Sequence, residues 1–267
     1  MSKRQWSTFF PSVKSHLTAT SAIIGIIGVL ISATGASMSA QNLLISGTII
    51  VALTFLYAIF RSIPPKLKSA SEFVGRNISI DELQNISPTM LKVGIVGSTQ
   101  SGKTTFLQEI LQQVPEPIRT NKVYASVVAL QTTPPKYVAL LDGDGDQFSQ
   151  QFEVAENADF LLIFLDHSLG SKSIEKSTDR IKEHDVFIKQ LISHIKKGRI
   201  KRAHVLLNKR DLWESTDDAY ALEQWFNTHI ERLRQLGCIE NVTHGLHSNL
   251  ISSDVGKIMR LISSLEI

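Results

Sequence analysis

Across the last two thirds of the chain, apolar runs of five to nine residues alternate with longer stretches of helical period. The short runs predict strands at 91–96, 123–130, 136–141, 159–165, 203–207 and 242–250. The longer stretches predict helices at 103–113, 147–157, 174–196, 217–236 and 255–265. Most of the strand runs are apolar at nearly every position, as in strands covered on both faces. Such alternation predicts an α/β fold: a mostly parallel six-stranded sheet with helices on both faces, occupying 91–267. That length suits a single core. Residues 61–90, with Pro64-Pro65, Gly75 and Pro88, read as a linker carrying a short helix at 81–84.

The first quarter of the chain is patterned differently. From Ser15 to Phe60, 46 residues pass without an Asp, Glu, Lys or Arg. About 20 apolar residues span a bilayer, so this length predicts a transmembrane helical hairpin over 17–60. Its spans are 17–33 and 42–60, with a small polar turn at 35–41 between them. A buried helix pair or a secretory signal peptide are the alternatives. Lys3, Arg4 and Lys14 precede the hairpin, and Arg61, Lys66 and Lys68 follow it. By the positive-inside rule, the N-terminal segment 1–16 and the large C-terminal domain are cytoplasmic, as in an integral protein of, for example, a bacterial inner membrane. Gly28, Ser32 and Ala36 give the first helix a small-residue face for packing on the second or on a partner.

Charge separates the two parts further. The net +3 divides into +6 over residues 1–68, which hold six Lys/Arg and no acid, and −3 over the remainder. The larger part is mildly acidic, which excludes a nucleic-acid partner on electrostatic grounds. The basic flanks of the hairpin suit anionic lipid headgroups. A dense basic run, Lys196 to Arg202, reads as helix C-terminal charge or as a docking patch. Cys238 is the only cysteine, so no internal disulfide forms. His244 and His247, three apart in a predicted strand, face opposite sides and make a poor metal pair.

The candidate chemistry begins at Gly97-Ser98-Thr99-Gln100-Ser101-Gly102-Lys103-Thr104, which fits the GxxxxGK[ST] phosphate loop and lies between a predicted strand and helix. Glycines in such a loop let backbone N–H groups turn inward on phosphate oxygens, and the helix N-terminus adds partial positive charge. Lys103 reaches the β- and γ-phosphates, Thr104 offers its hydroxyl to Mg2+, and Thr105 follows in the same turn. Asp142 ends the strand 136–141 and can hold the metal through water, while Gly145, three residues on, can offer its N–H to a γ-phosphate. A further strand runs into Asn208-Lys209-Arg210-Asp211. All three segments fall at C-terminal strand ends, where open α/β sheets bind ligands.

These motifs resemble those of the P-loop GTPase superfamily, in particular its Ras-like and translation-factor-related members. The resemblance implies GTP or GDP as ligand, with Asp211 accepting from the guanine ring, Asn208 tying the loop to the phosphate loop and the Lys209 stem covering the base. It places a base contact at Ser253, in Ser252-Ser253-Asp254, although a helix N-cap explains the same residues. It implies Thr120 as the switch threonine on the metal; Thr132 and Thr133 read instead as turn residues. Ras-like enzymes carry glutamine directly after Asp-x-x-Gly. Here Asp146 holds that place and Gln147 comes next, either orienting water or opening a helix. With Thr99 as the third loop residue, the expectation is a slow GTPase that recruits or releases a protein partner. The alternative is a structural subunit of a membrane complex that binds GTP constitutively. An ATP-driven motor or kinase is a third reading, opposed by Asn208 to Asp211. In plan, with its N-terminal membrane segment, the chain resembles the β-subunit of the signal recognition particle receptor.

Overall fold

A computed structural model describes residues 6, 9–18, 20–37, 41–64, 66–111, 123–143, 147–170, 173–195 and 200–265. The chain divides into two compact units, Met1–Lys68 and Ser69–Ile267.

The first unit is helical: α1 (Phe9–Thr18), α2 (Thr20–Ser37) and α3 (Gln41–Arg61). A Cβ built on Gly47 of α3 would overlap Ser32 Oγ and the Gly28 carbonyl of α2, so the two backbones approach where only glycine fits. The small-residue face of the first helix thus packs on the second. Its outer surface is apolar, with Ile24, Ile27, Leu30, Ile49, Leu53 and Phe60 exposed.

Among the described residues, however, no helix is long and apolar enough to cross a membrane. This overturns the two-span hairpin predicted over 17–60, together with the membrane as partner and the integral placement with cytoplasmic ends that followed from it. Freedom from charge is a weaker property than apolar length. Helix α2 has 18 residues, about 27 Å at 1.5 Å per residue, and carries Ser32 and Thr34 within it. Helix α3 opens on Gln41-Asn42, closes on Arg61 and contains Ser46, Thr48 and Thr54. The α2 stretch falls short of a hydrocarbon layer about 30 Å thick, and the apolar length of α3 is cut back by the polar residues at its start and within it. The likeness in plan to the receptor β-subunit depends on those spans and is not shown.

The second unit begins earlier than the predicted domain at 91. Residues 69–90, predicted as linker, belong to it. The short strands β1 (Lys68–Ser69) and β3 (Ile86–Ser87) pair with each other, while β2 (Asn77–Ser79) runs into α4 (Ile80–Leu83). Then follow β4 (Leu91–Gly97), α5 (Lys103–Leu111), β5 (Tyr124–Leu130), β6 (Lys136–Asp142), α6 (Phe148–Asn157), β7 (Phe160–Leu165) and α7 (Thr178–Ile195). The chain closes with β8 (Arg202–Leu207), α8 (Arg210–Trp213), α9 (Ala219–Arg234), β9 (Asn241–Leu246) and α10 (Ser252–Ser264).

Among the described residues the sheet has seven strands rather than six, in the order β2-β5-β6-β4-β7-β8-β9. Strands β6, β4, β7, β8 and β9 are parallel neighbours, whereas β5 runs antiparallel to both β6 and β2. The antiparallel edge is therefore β2, with β5 inside it. A three-residue strand with one buried side chain, Ile78, gives almost no periodic signal, which is why its sequence resembles a linker.

Period-two alternation divides the core. In β7 all six residues are buried; Leu161, Ile163 and Leu165 face one core, Phe160, Leu162 and Phe164 the other. The first core takes Phe187 and Leu191 of α7 and Phe226 and Ile230 of α9; the second takes Phe106 of α5 and Ile258 and Ile262 of α10. Helices thus cover both faces of the mixed sheet, and the C-terminal ends of the parallel strands open onto one edge. Helix α7 ends at Ile195, and Lys196–Arg199 of the basic run lie outside the described residues. Cys238 is a free, exposed thiol.

Candidate functional site

Parallel pairing brings the separate motifs to one edge. Ile95 of β4 is in register with Asp142 of β6, and Gly97 with Phe164 of β7. The segment 97–104 therefore leaves β4 between two strand ends and enters α5 at Lys103. Its backbone bends through left-handed conformations at Gln100 (φ 60°) and Gly102 (φ 100°). A non-glycine residue in that region is strained, and such strain gathers at ligand-holding loops.

The Lys103 ammonium, almost fully buried, donates to the Gly97 and Ser98 carbonyls at 2.6 and 2.9 Å. It therefore stands inside the loop curve. Thr104 and Thr105 are exposed on the first turn of α5. The Ser101 hydroxyl and the Asn208 side-chain oxygen are buried with no hydrogen-bond partner among the described residues. Buried polar atoms normally have one, so orphans inside a loop mark room for a polar ligand.

The second motif is bound to the first. Asn208 Nδ2 donates to the Ser101 carbonyl (2.8 Å), and the fully buried Trp213 anchors Asn208 by donating Nε1–H to its carbonyl (3.0 Å). Lys209 takes a left-handed φ of 60°. Asp211, exposed in α8, accepts from the Ser248 hydroxyl at 2.6 Å. Ser248 is fully buried and its N–H donates to Asp254 Oδ2 (3.1 Å). Asn249 Nδ2 donates to the Gly102 carbonyl (2.7 Å). The loop after β9 thus touches both the phosphate-loop segment and the Asn208–Asp211 segment, through Ser248 and Asn249. Ser253 sits in the first turn of α10. Strand β9 ends at Leu246, four residues sooner than predicted, and this is what places Ser248 in the loop.

At the other side of the phosphate loop, the Gln151 amide of α6 accepts from Gly97 N (3.0 Å) and donates to the Gly143 carbonyl (2.6 Å). Gln147 stands at the N-cap position of α6 without a side-chain cap bond, and its side-chain oxygen accepts from the Gln150 side-chain Nε2 at 3.0 Å. Thr120, Gly145 and Asp146 lie outside the described residues.

A buried ionic cluster underlies the site. Asp166, directly after β7, has Arg180 Nε at 2.6 Å and His184 Nε2 at 2.7 Å from Oδ1, and Lys209 Nζ at 2.6 Å from Oδ2. Burial pushes its carboxyl up, but the hydrogen bond and charge of His184 and the Arg180 guanidinium outweigh that and hold it down at about 2. Burial pushes His184 down, against the pull of the Asp166 carboxylate beside its Nε2. Nothing in the sequence pattern marks Asp166, Arg180, Trp213, Ser248 or Gln151 as site residues. Their roles depend on which strand ends are neighbours.

No family model and no curated protein matches the chain. Among solved structures it is similar to the bacterial selenocysteine-specific elongation factor EF-Sec, at 13% identity and a TM-score of 0.47, over 66% of this chain and 29% of that one. It is also similar to Roco2 RocCORdC of Methanosarcina barkeri, solved bound to GDP, at 17% identity and a TM-score of 0.43, over 65% of this chain and 48% of that one. The chain spans less than half the length of either.

Proposed function

We propose that this chain is a P-loop GTPase that binds GTP or GDP with Mg2+ at the C-terminal edge of its sheet and hydrolyses GTP slowly. One observation carries the reading. The Asn208–Asp211 segment and the phosphate-loop segment are joined by the Asn208 bond to Ser101, and both are joined to the loop after β9 by Ser248 and Asn249. A carboxylate that reads a base and a loop that holds phosphates then face one ligand.

In this site Gly97 to Thr105 cradle the phosphates. Lys103, now bonded to loop carbonyls, supplies positive charge to the β- and γ-oxygens. Thr104 and Asp142 fit a hard cation with oxygen ligands, and such a cation would neutralise charge developing on the transferred phosphoryl group. Asp211 accepts from the two N–H donors on the guanine edge, and Ser248 holds its carboxylate in place. Adenine lacks those donors, so a site built for them discriminates strongly. The base contact expected at Ser253 passes in this reading to the loop at Ser248. Gln147 orients the attacking water, and Thr120 and Gly145 sense the γ-phosphate in a switch read by a protein partner.

The Asp211→Asn variant tests the assignment. It exchanges an acceptor for a donor, so GDP binding should weaken by about a hundredfold while xanthosine diphosphate binds better than GDP. Unchanged preference for GDP would remove Asp211 from the base site. A second reading, constitutive GTP binding without useful turnover, is favoured by Gln147, whose side-chain oxygen is engaged by the Gln150 amide. Single-turnover hydrolysis of bound GTP separates the two, since only the switch requires product to form.

A further inference from the structure

We propose that Asp166 is a positioning residue that couples the base-reading segment to the phosphate loop, so that the two halves of the nucleotide site are set together. This rests on the guanine-nucleotide reading above. The carboxylate is fully buried at the first position after β7, and it divides its two oxygens between two groups of partners. Oδ2 pairs with Lys209 of the base-reading segment at 2.6 Å. Lys209 Nζ also donates to the carbonyls of Ser168 (2.9 Å) and Gly170 (2.8 Å), so it is held by the loop that Asp166 opens. Oδ1 pairs with Arg180 and His184 of α7 at 2.6 and 2.7 Å.

Both α7 residues reach on to the phosphate loop. Arg180, fully buried, donates its second terminal nitrogen to the Thr99 carbonyl at 2.7 Å, while its first pairs with Glu183 at 2.8 Å. His184 presents Nδ1 to the Ser98 hydroxyl at 3.4 Å. The chain of contacts runs Lys209, Asp166, Arg180, Thr99 with each step under 3 Å. Two cations meet one buried anion. Removal of either cation leaves the carboxylate less compensated and frees the other to shift, which is how a buried ionic network transmits a change. A network that merely held α7 against the sheet would involve no residue of the base-reading segment. Here Lys209, with its left-handed backbone, is a member.

The test is a double-mutant cycle on GDP affinity in the full-length chain, using a fluorescent GDP analogue and Mg2+, with folding of each variant followed by circular dichroism. Arg180→Gln and Lys209→Gln should each weaken binding about tenfold. Because they act through one carboxylate, the double variant should be no more than about twofold weaker than the worse single one. Asp166→Asn should reproduce the loss of the double variant. Losses that multiply would overturn the coupling and leave the nucleotide reading intact. So would an Asp166→Asn protein that melts earlier but binds GDP within about twofold of the unmodified chain. If Asp166→Asn does not fold, the Arg180 and Lys209 cycle decides alone. No GDP binding by the unmodified chain would sink the nucleotide reading, and this proposal with it.

Discussion

Gly102 shows how little freedom the phosphate loop has. Its φ is 100°, and a Cβ built there would overlap Asn208 Nδ2, the group that ties the 208–211 segment to the 97–104 segment. Gly102→Ala should therefore destabilise the folded chain by about 1–3 kcal/mol through backbone strain, and more where Asn208 must move. Its GDP affinity should fall with it. Thermal unfolding alongside a GDP titration measures both, and unchanged values would show that the loop is not held as described. At this scale the sequence is legible where a motif fixes residue types at fixed spacing, as in 97–104 and 208–211. It is not legible for Arg180, whose partner carbonyl is 81 positions away, or Asn249, whose partner is 147 positions away. Arg180 and Asn249 look like ordinary polar residues until β4, β7, β8 and β9 are known to end along one edge. The neighbours of Ser253 suit the base-contact motif, but Ser248 is the residue that lies against Asp211.

Among the elements, the buried parallel strands are readable because a short, continuous apolar run between turn residues suits a strand covered on both faces, and their ends fall within a few residues of the prediction. Strand β2 is not, being three residues long and paired only at the sheet edge. The helices of the first unit are readable as helices, but their surroundings are not: absence of charge suggests a span that their apolar length does not support. Their close packing makes its own prediction. Gly47→Leu should push α3 from α2 and speed hydrogen exchange through 41–61; unchanged protection would contradict the close approach at Gly28 and Ser32.

The β8–β9 ladder predicts an acid sensitivity. His204, on β8 with Nδ1 2.7 Å from Thr243 Oγ1, is pushed down to about 4 by burial and by the neighbouring His244 and His247. The folded state then binds fewer protons than the unfolded one below the usual histidine value of 6.5. Its contribution is complete above about 6.5 and is lost as pH falls from there towards about 4. The loss is on the order of 3 kcal/mol for this residue. His184, His229 and His247, also pushed down by burial, add in the same direction. Asp166 acts in a lower window, between its unfolded value of 3.8 and about 2. Urea unfolding at about pH 7 and about pH 4.5 should therefore show a smaller loss for His204→Gln than for the unmodified chain. Equal losses would mean that the imidazole is solvated in the folded state.

For the molecule as a whole, the mixed sheet of the second unit sets five parallel strands with their C-terminal ends along one edge, and every described motif of the candidate site lies on that edge. In the function proposed above, this edge holds a guanine nucleotide. Isothermal titration calorimetry of the full-length chain in Mg2+ tests it most directly, with GTP, GDP and ATP titrated in turn. One saturable site is expected for GTP and for GDP, with ATP at least about a hundredfold weaker. No heat with either guanine nucleotide, or equal affinity for ATP, would contradict it.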